Sequence, residues 1–321
     1  MALFHDINTK AKGLLNSGFG TNSNSYGGRF INKNGTANVK KTGLNFFTRI
    51  SWYHTLIDMS AWKFLFILML FYVVINFVFA LFYFAVGLEH LNGIDASGSK
   101  WVQFGQAYFF SAQTFTTVGY GHISPSGFIA SAVSSLEALI GLLSFAIATG
   151  LFFGRFSRPI AYLKFSHNAL IAPYGDGSIA LMIRISPYKN TNFTEAEANM
   201  TLGMSIEENG KLINKFYSLD LEFAKVNSLS LSWTLVHPIT EESPLFNLNK
   251  EDYLNLSGEF FVFIKTFDDM FSTVVATSSS YTFEEVIYGA KFTPMFSRST
   301  DNVKTILNLD KLNAFERVIL E

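Results

Sequence analysis

The chain has 321 residues, of which 49% are hydrophobic and only 15% charged, with 35 phenylalanines and a net charge of −1. That balance is too apolar for an ordinary soluble protein and too polar for a multi-span transporter, and it fits a small membrane part joined to a soluble part of similar size. Near-neutral charge implies no global polyanion-binding surface, so nucleic acid is not expected as a partner, while the absence of cysteine excludes disulfides, thiolate metal sites and cysteine redox chemistry.

Residues 1–45 read as a flexible N-terminal segment, rich up to about Gly28 in Gly, Asn and Ser (Asn16-Ser17-Gly18-Phe19-Gly20-Thr21-Asn22-Ser23). The first apolar run begins about sixty residues from Met1, too far along to be a secretory signal. Over residues 46–60, Phe47, Ile50, Trp52, Tyr53, Leu56 and Ile57 recur at near-helical spacing. The pattern predicts a short amphipathic helix on the membrane surface, with Trp and Tyr at headgroup level, although a helix packed on protein carries the same pattern.

Phe64–Leu88 contains no charged residue, and at about 1.5 Å per residue it crosses a hydrocarbon core of roughly 30 Å with some tilt. After a polar, turn-rich stretch, Trp101–Thr114 is apolar but too short to cross, as a re-entrant helix would be. It leads into Thr117-Val118-Gly119-Tyr120-Gly121, and a second span runs over about Ile129–Phe153. A Thr-Val-Gly-Tyr-Gly string between two spans is the pattern of a K⁺ selectivity filter, in which backbone carbonyls and the threonine hydroxyl replace the ion's water. Successive carbonyls face one side only if alternate residues reach conformations that a Cβ disfavours, hence the two glycines. One strand cannot encircle an ion, so the working unit is expected to be a homotetramer. Irregular backbone at that depth requires surrounding protein or a water-filled path.

Glu137 is the one charge inside the second span. Two readings stand side by side: support of the filter from behind, or snorkelling near the outer surface. Lys33, Lys40, Lys41 and Arg49 precede the first span, Arg155, Arg158 and Lys164 follow the second, and only Lys100 is basic between them. The asymmetry puts both termini in the cytoplasm, with residues 61–158 as the pore domain.

Beyond residue 159 the pattern changes. Short apolar alternations at Ser178–Ile185, Asn199–Ile206, Lys211–Leu221, Leu229–Val236, Glu259–Phe267, Phe271–Ala276, Ala290–Phe296 and Val303–Leu309 are separated by turn residues, including Asn209-Gly210. They predict an antiparallel β-sandwich of immunoglobulin-like type over residues 159–321, here without a disulfide. No G-x-G-x-x-G follows a strand, so a nucleotide-binding regulatory domain is not expected. The fold class is therefore an α+β membrane protein: two transmembrane helices, a re-entrant pore helix with filter, and a cytoplasmic immunoglobulin-like β-sandwich. No nucleophile–base set or metal-ligand cluster appears at useful spacing, which argues against an enzyme. K⁺ is expected as the permeant ion, with no cofactor.

Three strings outside the filter extend this reading. Arg29-Phe30-Ile31-Asn32-Lys33-Asn34-Gly35 precedes Asn38-Val39; Ser232-Trp233-Thr234-Leu235-Val236-His237-Pro238-Ile239 precedes Ser243-Pro244-Leu245; and Ser280-Tyr281 precedes Glu284-Glu285-Val286-Ile287-Tyr288-Gly289-Ala290-Lys291-Phe292. Together with the filter they resemble the inward-rectifier potassium channel family, particularly its prokaryotic branch, over nearly everything from Arg29 onward. The resemblance implies K⁺ coordination by the carbonyls of Thr117, Val118, Gly119 and Tyr120, with Gly121 closing the filter. It also implies inner-helix bends at Gly141 and Gly150 and a gate at Phe153. Seven residues from Phe145 return nearer to the same helical face than eight, so ideal geometry favours Phe152 for that gate instead.

The same resemblance places Phe145 in the cavity, where strongly rectifying relatives carry an acid, and Glu195 and Asp269 as acidic rings of the cytoplasmic pore. Mg²⁺, Ba²⁺ and polyamines are the expected blockers, weak at the deep site. Arg155, Arg158 and Lys164 would meet anionic lipid at roughly 1 kcal/mol each, although positive-inside anchoring explains them equally well. Departures exist. Gln113 stands where relatives have a Glu behind the filter, Ile123 replaces its Arg partner, His122 stands where many prokaryotic members have Asp, and Pro159 is followed by Ile160-Ala161 rather than a basic run. A weakly selective cation pore and a non-conducting membrane sensor remain as alternative readings.

Overall fold

The computed structural model describes residues 29–43, 45, 51–95, 97–175, 177–208, 211–301 and 303–320. The expected flexible stretch up to Gly28, the start of the interfacial helix at 46–50 and the Asn209-Gly210 turn lie outside the described residues. The chain divides into two compact units, Thr42–Arg158 on one side and, on the other, residues up to Lys41 together with Pro159–Glu321.

The first unit is helical. Helix α1, on the stretch expected as interfacial, covers Trp52–Asp58, the 26-residue α2 Ala61–Val86, the 16-residue α3 Lys100–Phe115 and the 29-residue α4 Phe128–Phe156. Helices α2 and α4 are long and apolar enough to cross a membrane, each at least ~39 Å long at 1.5 Å per residue. Each has a glycine outside its end in a conformation L-residues avoid: Gly87 (φ 110°) after α2 and Gly127 (φ 80°) before α4. Between α2 and α3, β1 (Leu91–Asn92) pairs with β2 (Ser124–Pro125) beyond the filter, closing the pore loop.

The second unit is a two-sheet sandwich. Its strands are β3 (Leu163–Phe165), β4 (Ala169–Tyr174), β5 (Ser178–Pro187), β6 (Phe193–Glu208), β7 (Lys211–Leu219), β8 (Lys225–Ser228), β9 (Trp233–Pro238), β10 (Gly258–Asp268), β11 (Thr273–Thr282) and β12 (Val286–Tyr288). One sheet runs β11-β10-β6-β7 with β8 on β6; the other runs β12-β4-β5-β3 with β9 on β5. Ile183 and Ile185 of β5, Leu202 of β6, Leu235 of β9 and Phe260 and Ile264 of β10 meet between them in one core. Alternation along β10 (Ile264 in, Lys265 out, Thr266 in) is the period-2 signature of a half-buried strand. A short helix α5 (Lys250–Asn255) starts in a capping box between Asn249 and Asp252. Small pairs β13 (Ala290–Phe292) with β16 (Phe315–Arg317), and β14 (Phe296–Arg298) with β15 (Thr305–Leu307), complete the unit.

The sandwich of the sequence reading is present, and its elements differ in detail. The run expected as one strand over 290–296 is two, β13 and β14, separated at Pro294, which has no N–H for a ladder. The strand expected from Leu229 begins only at Trp233, as β9. β6 begins six residues before the expected Asn199, and the sequence reading does not anticipate β3, β4, β8, β12 or β16. The segment before the first unit docks on this sandwich. The Arg29 guanidinium donates to Glu285 (Nη2–Oε2 2.6 Å) and to the Ser280 carbonyl at 2.6 Å, while the N–H groups of Phe30 and Ile31 donate to the buried Glu259 carboxylate at 2.7 and 3.2 Å.

Candidate functional site

The stretch Thr117–Gly121, expected to be the filter, follows directly on the C-terminal end of α3. The Thr117 N–H donates to the Thr114 carbonyl at 3.0 Å, and the Gln113 carbonyl accepts from both Val118 (2.9 Å) and Gly119 (3.3 Å). Thr117, Gly119 and Gly121 have φ of 58°, 52° and 79°, whereas Val118 and Tyr120 are not in the positive region. Alternate residues thus take the opposite hand, the backbone pattern that the glycines of the sequence led us to expect. A left-handed L-residue costs roughly 1–2 kcal/mol, which Thr117 bears and the glycines avoid. Within the chain nothing lies within 4 Å of a Cβ added at Gly119 or Gly121, so conformation rather than crowding requires glycine there. The side chains of Val118 and Tyr120 are 53% and 79% exposed.

Three helices converge on one carboxyl. Glu137 of α4 is fully buried. Its Oε2 accepts from the Tyr83 hydroxyl of α2 at 2.6 Å, and its Oε1 accepts from the Ser111 hydroxyl of α3. Ser111 Oγ also lies 3.1 Å from Asn76 Oδ1 of α2, and the Tyr83 ring meets Phe110 edge-on at 5.1 Å between centroids. Of the two sequence readings of Glu137, snorkelling is corrected. A buried polar group needs partners, and this one finds them among the helices. Tyr83, Ser111 and Asn76 were not singled out from sequence; a lone amide in an apolar span was the available signal. One turn after Glu137, Gly141 lies so close to α3 that an added Cβ would collide with the Phe115 carbonyl oxygen and come 2.8 Å from its carbon. Close packing therefore accounts for Gly141, whereas nothing lies within 4 Å of a Cβ at Gly150.

Further along α4, Phe145 is 74% exposed and lines, with Thr117, Leu142 and Phe71, an apolar cavity of about 660 Å³. Phe152 packs edge-on against Phe64 of α2 at 5.2 Å and stacks on Phe156, while Phe153 is 72% exposed on another side. Ideal phase counting from Phe145 pointed to Phe152, but the ring is occupied by α2.

Arg155, expected to meet lipid headgroups, caps the end of α1. Its Nη1 donates to the carbonyls of Leu56 (2.7 Å) and Ile57 (2.8 Å), its Nη2 to that of Met59 (2.8 Å), and its guanidinium stands 4.7 Å over the Phe64 ring. Arg158 pairs with Asp58 of α1. A Cβ at Gly154 would come within 3.1 Å of the Tyr53 hydroxyl and 3.2 Å of Ile57. The last turn of α4 is thereby fastened to α1 immediately after Phe153.

In the sandwich, Glu195 and Asp269 share one end of a sheet. Glu195 is exposed at φ 49° where the β6–β10 register slips between Lys265 and Phe267. Asp269, also exposed, accepts from the neighbouring Thr194 hydroxyl at 3.1 Å. The exposed Lys164 lies 5.2 Å from the Tyr188 ring centroid. Among the described residues no cluster of three or more His, Asp or Glu is arranged to hold a metal.

Comparison with known proteins adds two domain matches. Residues 64–158 match an ion channel family, and residues 163–320 match the inward rectifier potassium channel C-terminal domain. The chain is 32% identical over 290 residues to the inward rectifier potassium channel Kirbac3.1 of Paramagnetospirillum magnetotacticum, covering 89% of this chain and 95% of that protein. It is 25% identical to ATP-sensitive inward rectifier potassium channel 12 of Gallus gallus, over 86% of this chain and 69% of the relative. Similarity to inward rectifier potassium channel irk-1 of Caenorhabditis elegans is 26%, over 61% of this chain and 38% of the relative.

Proposed function

The chain belongs to the inward-rectifier potassium channel family, in its prokaryotic branch, and from that premise we propose a K⁺-selective homotetrameric pore of a prokaryotic plasma membrane. Four copies of Thr117–Gly121 would stack rings of carbonyls around one axis and replace the hydration shell of K⁺. The observation that carries this is the alternation of backbone hand at Thr117, Gly119 and Gly121, with the Gln113 carbonyl holding two filter N–H groups. Phe145 lines the cavity under the filter. Phe153, exposed in one chain while Phe152 is packed on Phe64, forms the gate ring, where four aromatic side chains dewet the pore. Bending of α4 falls at Gly150 rather than Gly141, since only Gly150 is free of close neighbours.

With both termini cytoplasmic, rings of Glu195 and Asp269 on the cytoplasmic sandwich concentrate cations and admit Mg²⁺ or polyamines. Headgroup signals reach the gate through α1, with Arg158 and Lys164 as the cations offered to anionic lipid and Arg155 as the fastening between α1 and α4. The test is Rb⁺ uptake into liposomes carrying the purified protein, with and without external Ba²⁺, beside a Gly119→Ala control. Ba²⁺-sensitive uptake that disappears in the control is the expected result. Uptake that survives Gly119→Ala unchanged would place conduction elsewhere.

A further inference from the structure

We infer that Glu137 and Gly141 form a two-point latch that holds the pore helix in register and thereby sets K⁺ selectivity, an inference that rests on the pore reading above. The points lie four residues apart on α4, on one helical face. Their partners on α3, Ser111 and Phe115, are also four apart and follow in the same order. Two matched points one turn apart fix both the height and the rotation of one helix against the other, which a single contact cannot do. The first point is polar: each oxygen of the buried Glu137 carboxyl accepts one hydroxyl, from Tyr83 and Ser111, tying α4 to α2 and α3 together. The second is steric, since only a glycine at 141 lets α4 come against the Phe115 carbonyl.

Between the two points lies Gln113, whose carbonyl holds the N–H groups of Val118 and Gly119. From Phe115 the chain enters the filter at Thr117 with no intervening loop, so a shift or roll of α3 passes directly to the coordinating carbonyls. Selectivity depends on where those carbonyls stand, because a K⁺ cage that deforms admits Na⁺. Glu137 touches no ion. It is a positioning residue, and in a chain with Gln113 behind the filter it supplies a carboxyl from the inner helix instead.

The test uses the full-length channel in planar bilayers, with K⁺ on one side and Na⁺ on the other, and reads the permeability ratio from the reversal potential. Ser111→Ala removes one hydroxyl–carboxyl bond and is expected to raise relative Na⁺ permeability about tenfold, the scale of one buried hydrogen bond, while Glu137→Leu removes both and should raise it at least as far. Gly141→Ala, which leaves the carboxyl untouched, is expected to move the ratio in the same direction. Glu137→Gln should restore most of the selectivity lost in Glu137→Leu, because its amide accepts from Tyr83 and donates to Ser111. A conducting Glu137→Leu channel with the wild-type ratio overturns the latch, as does Glu137→Gln as impaired as the leucine variant. If Glu137→Leu does not assemble, the smaller Ser111→Ala change decides by the same criterion. A wild-type protein without K⁺-selective current overturns the pore reading itself, whereas a selective wild type with unmoved variants overturns only the latch.

Discussion

Replacing Arg155 by alanine should loosen α1 without touching the filter. The seven-residue α1 is too short to persist alone, and its side of the contact consists of carbonyls that no further turn of helix satisfies. Arg155 donates to three of them at 2.7–2.8 Å. A hydrogen bond to a charged group nets about 1.5–3 kcal/mol, so three set an upper bound of roughly 4.5–9. Arg155 is half-buried and the freed carbonyls regain water, which brings the expected loss to roughly 2–4 kcal/mol, or about 30- to 900-fold in local opening. Hydrogen exchange of the full-length protein in lipid nanodiscs reads this at the amides of Thr55 and Met59, which bond to the Ser51 and Thr55 carbonyls. Arg155→Lys should fall between, since one nitrogen cannot reproduce the fork across Leu56, Ile57 and Met59. Exchange over 55–59 that is the same in wild type and Arg155→Ala would refute the cap. Protection that differs between the two proteins only when anionic lipid is present would likewise return Arg155 to the headgroups.

Three further outcomes concern the sandwich. Burial lowers the pKa of His237, whose neutral ring bonds the Asp220 carbonyl at 2.6 Å and the Ser243 hydroxyl at 2.8 Å. The unfolded chain therefore takes the proton at higher pH, so thermal stability should hold above about pH 6.5 and fall as pH drops through that value towards the folded pKa; His237→Gln should flatten this slope in melts from pH 8 to 5, and an unchanged slope would assign it elsewhere. Arg184 is buried with its Nε unpartnered, one 3.4 Å bond to the Lys311 carbonyl and the Phe292 ring 4.3 Å away, and burial pulls its guanidinium down to about 10. Arg184→Met should thus be neutral or stabilising by up to about 4 kcal/mol in a denaturation midpoint, and a marked loss would reveal a partner for that cation. At Gly258 an added Cβ would collide with the Phe283 ring, whose Cε2 it would approach to 2.7 Å, so Gly258→Ala should destabilise by about 1–3 kcal/mol, and a wild-type midpoint would mean the ring yields freely.

What the sequence made legible is what depends on neighbours in the chain. Span length, the alternation of β5, β6 and β10 and the glycines of the filter are all patterns within about ten to twenty-five residues, and each maps onto an element of the fold. Contacts across the chain were not legible. Glu137 announced itself as a charge in an apolar run, but its partners Ser111 and Tyr83 lie 26 and 54 residues away. Arg155 had the position of a lipid-binding cation, yet α1 residues nearly a hundred positions earlier claim its guanidinium. Phe152 and Phe153 differ by one step of about 100°, and only the ring of Phe64 shows which of them turns towards α2. Strands of three residues such as β3 and β12 are too short to carry a period, and it is their pairing with β5 and β4 that makes them strands.

The strings that carried the family resemblance sit at such long-range contacts. Arg29 reaches Glu285 and Ser280 across about 250 positions, which joins the first string to the third. Tyr281 of the third donates to the Ser166 carbonyl at 2.7 Å, and within the second string His237 bonds Ser243. Each partner limits what the other can be: a guanidinium fork needs the carboxylate opposite it, and a buried imidazole needs the hydroxyl that completes it. A Gly-rich pentapeptide can arise in any turn. Two strings that must meet, from opposite ends of a chain, cannot be satisfied by a local accident. That is why the Arg29 and Glu284-Glu285 strings identify this fold more sharply than the filter does, although neither of them touches the ion.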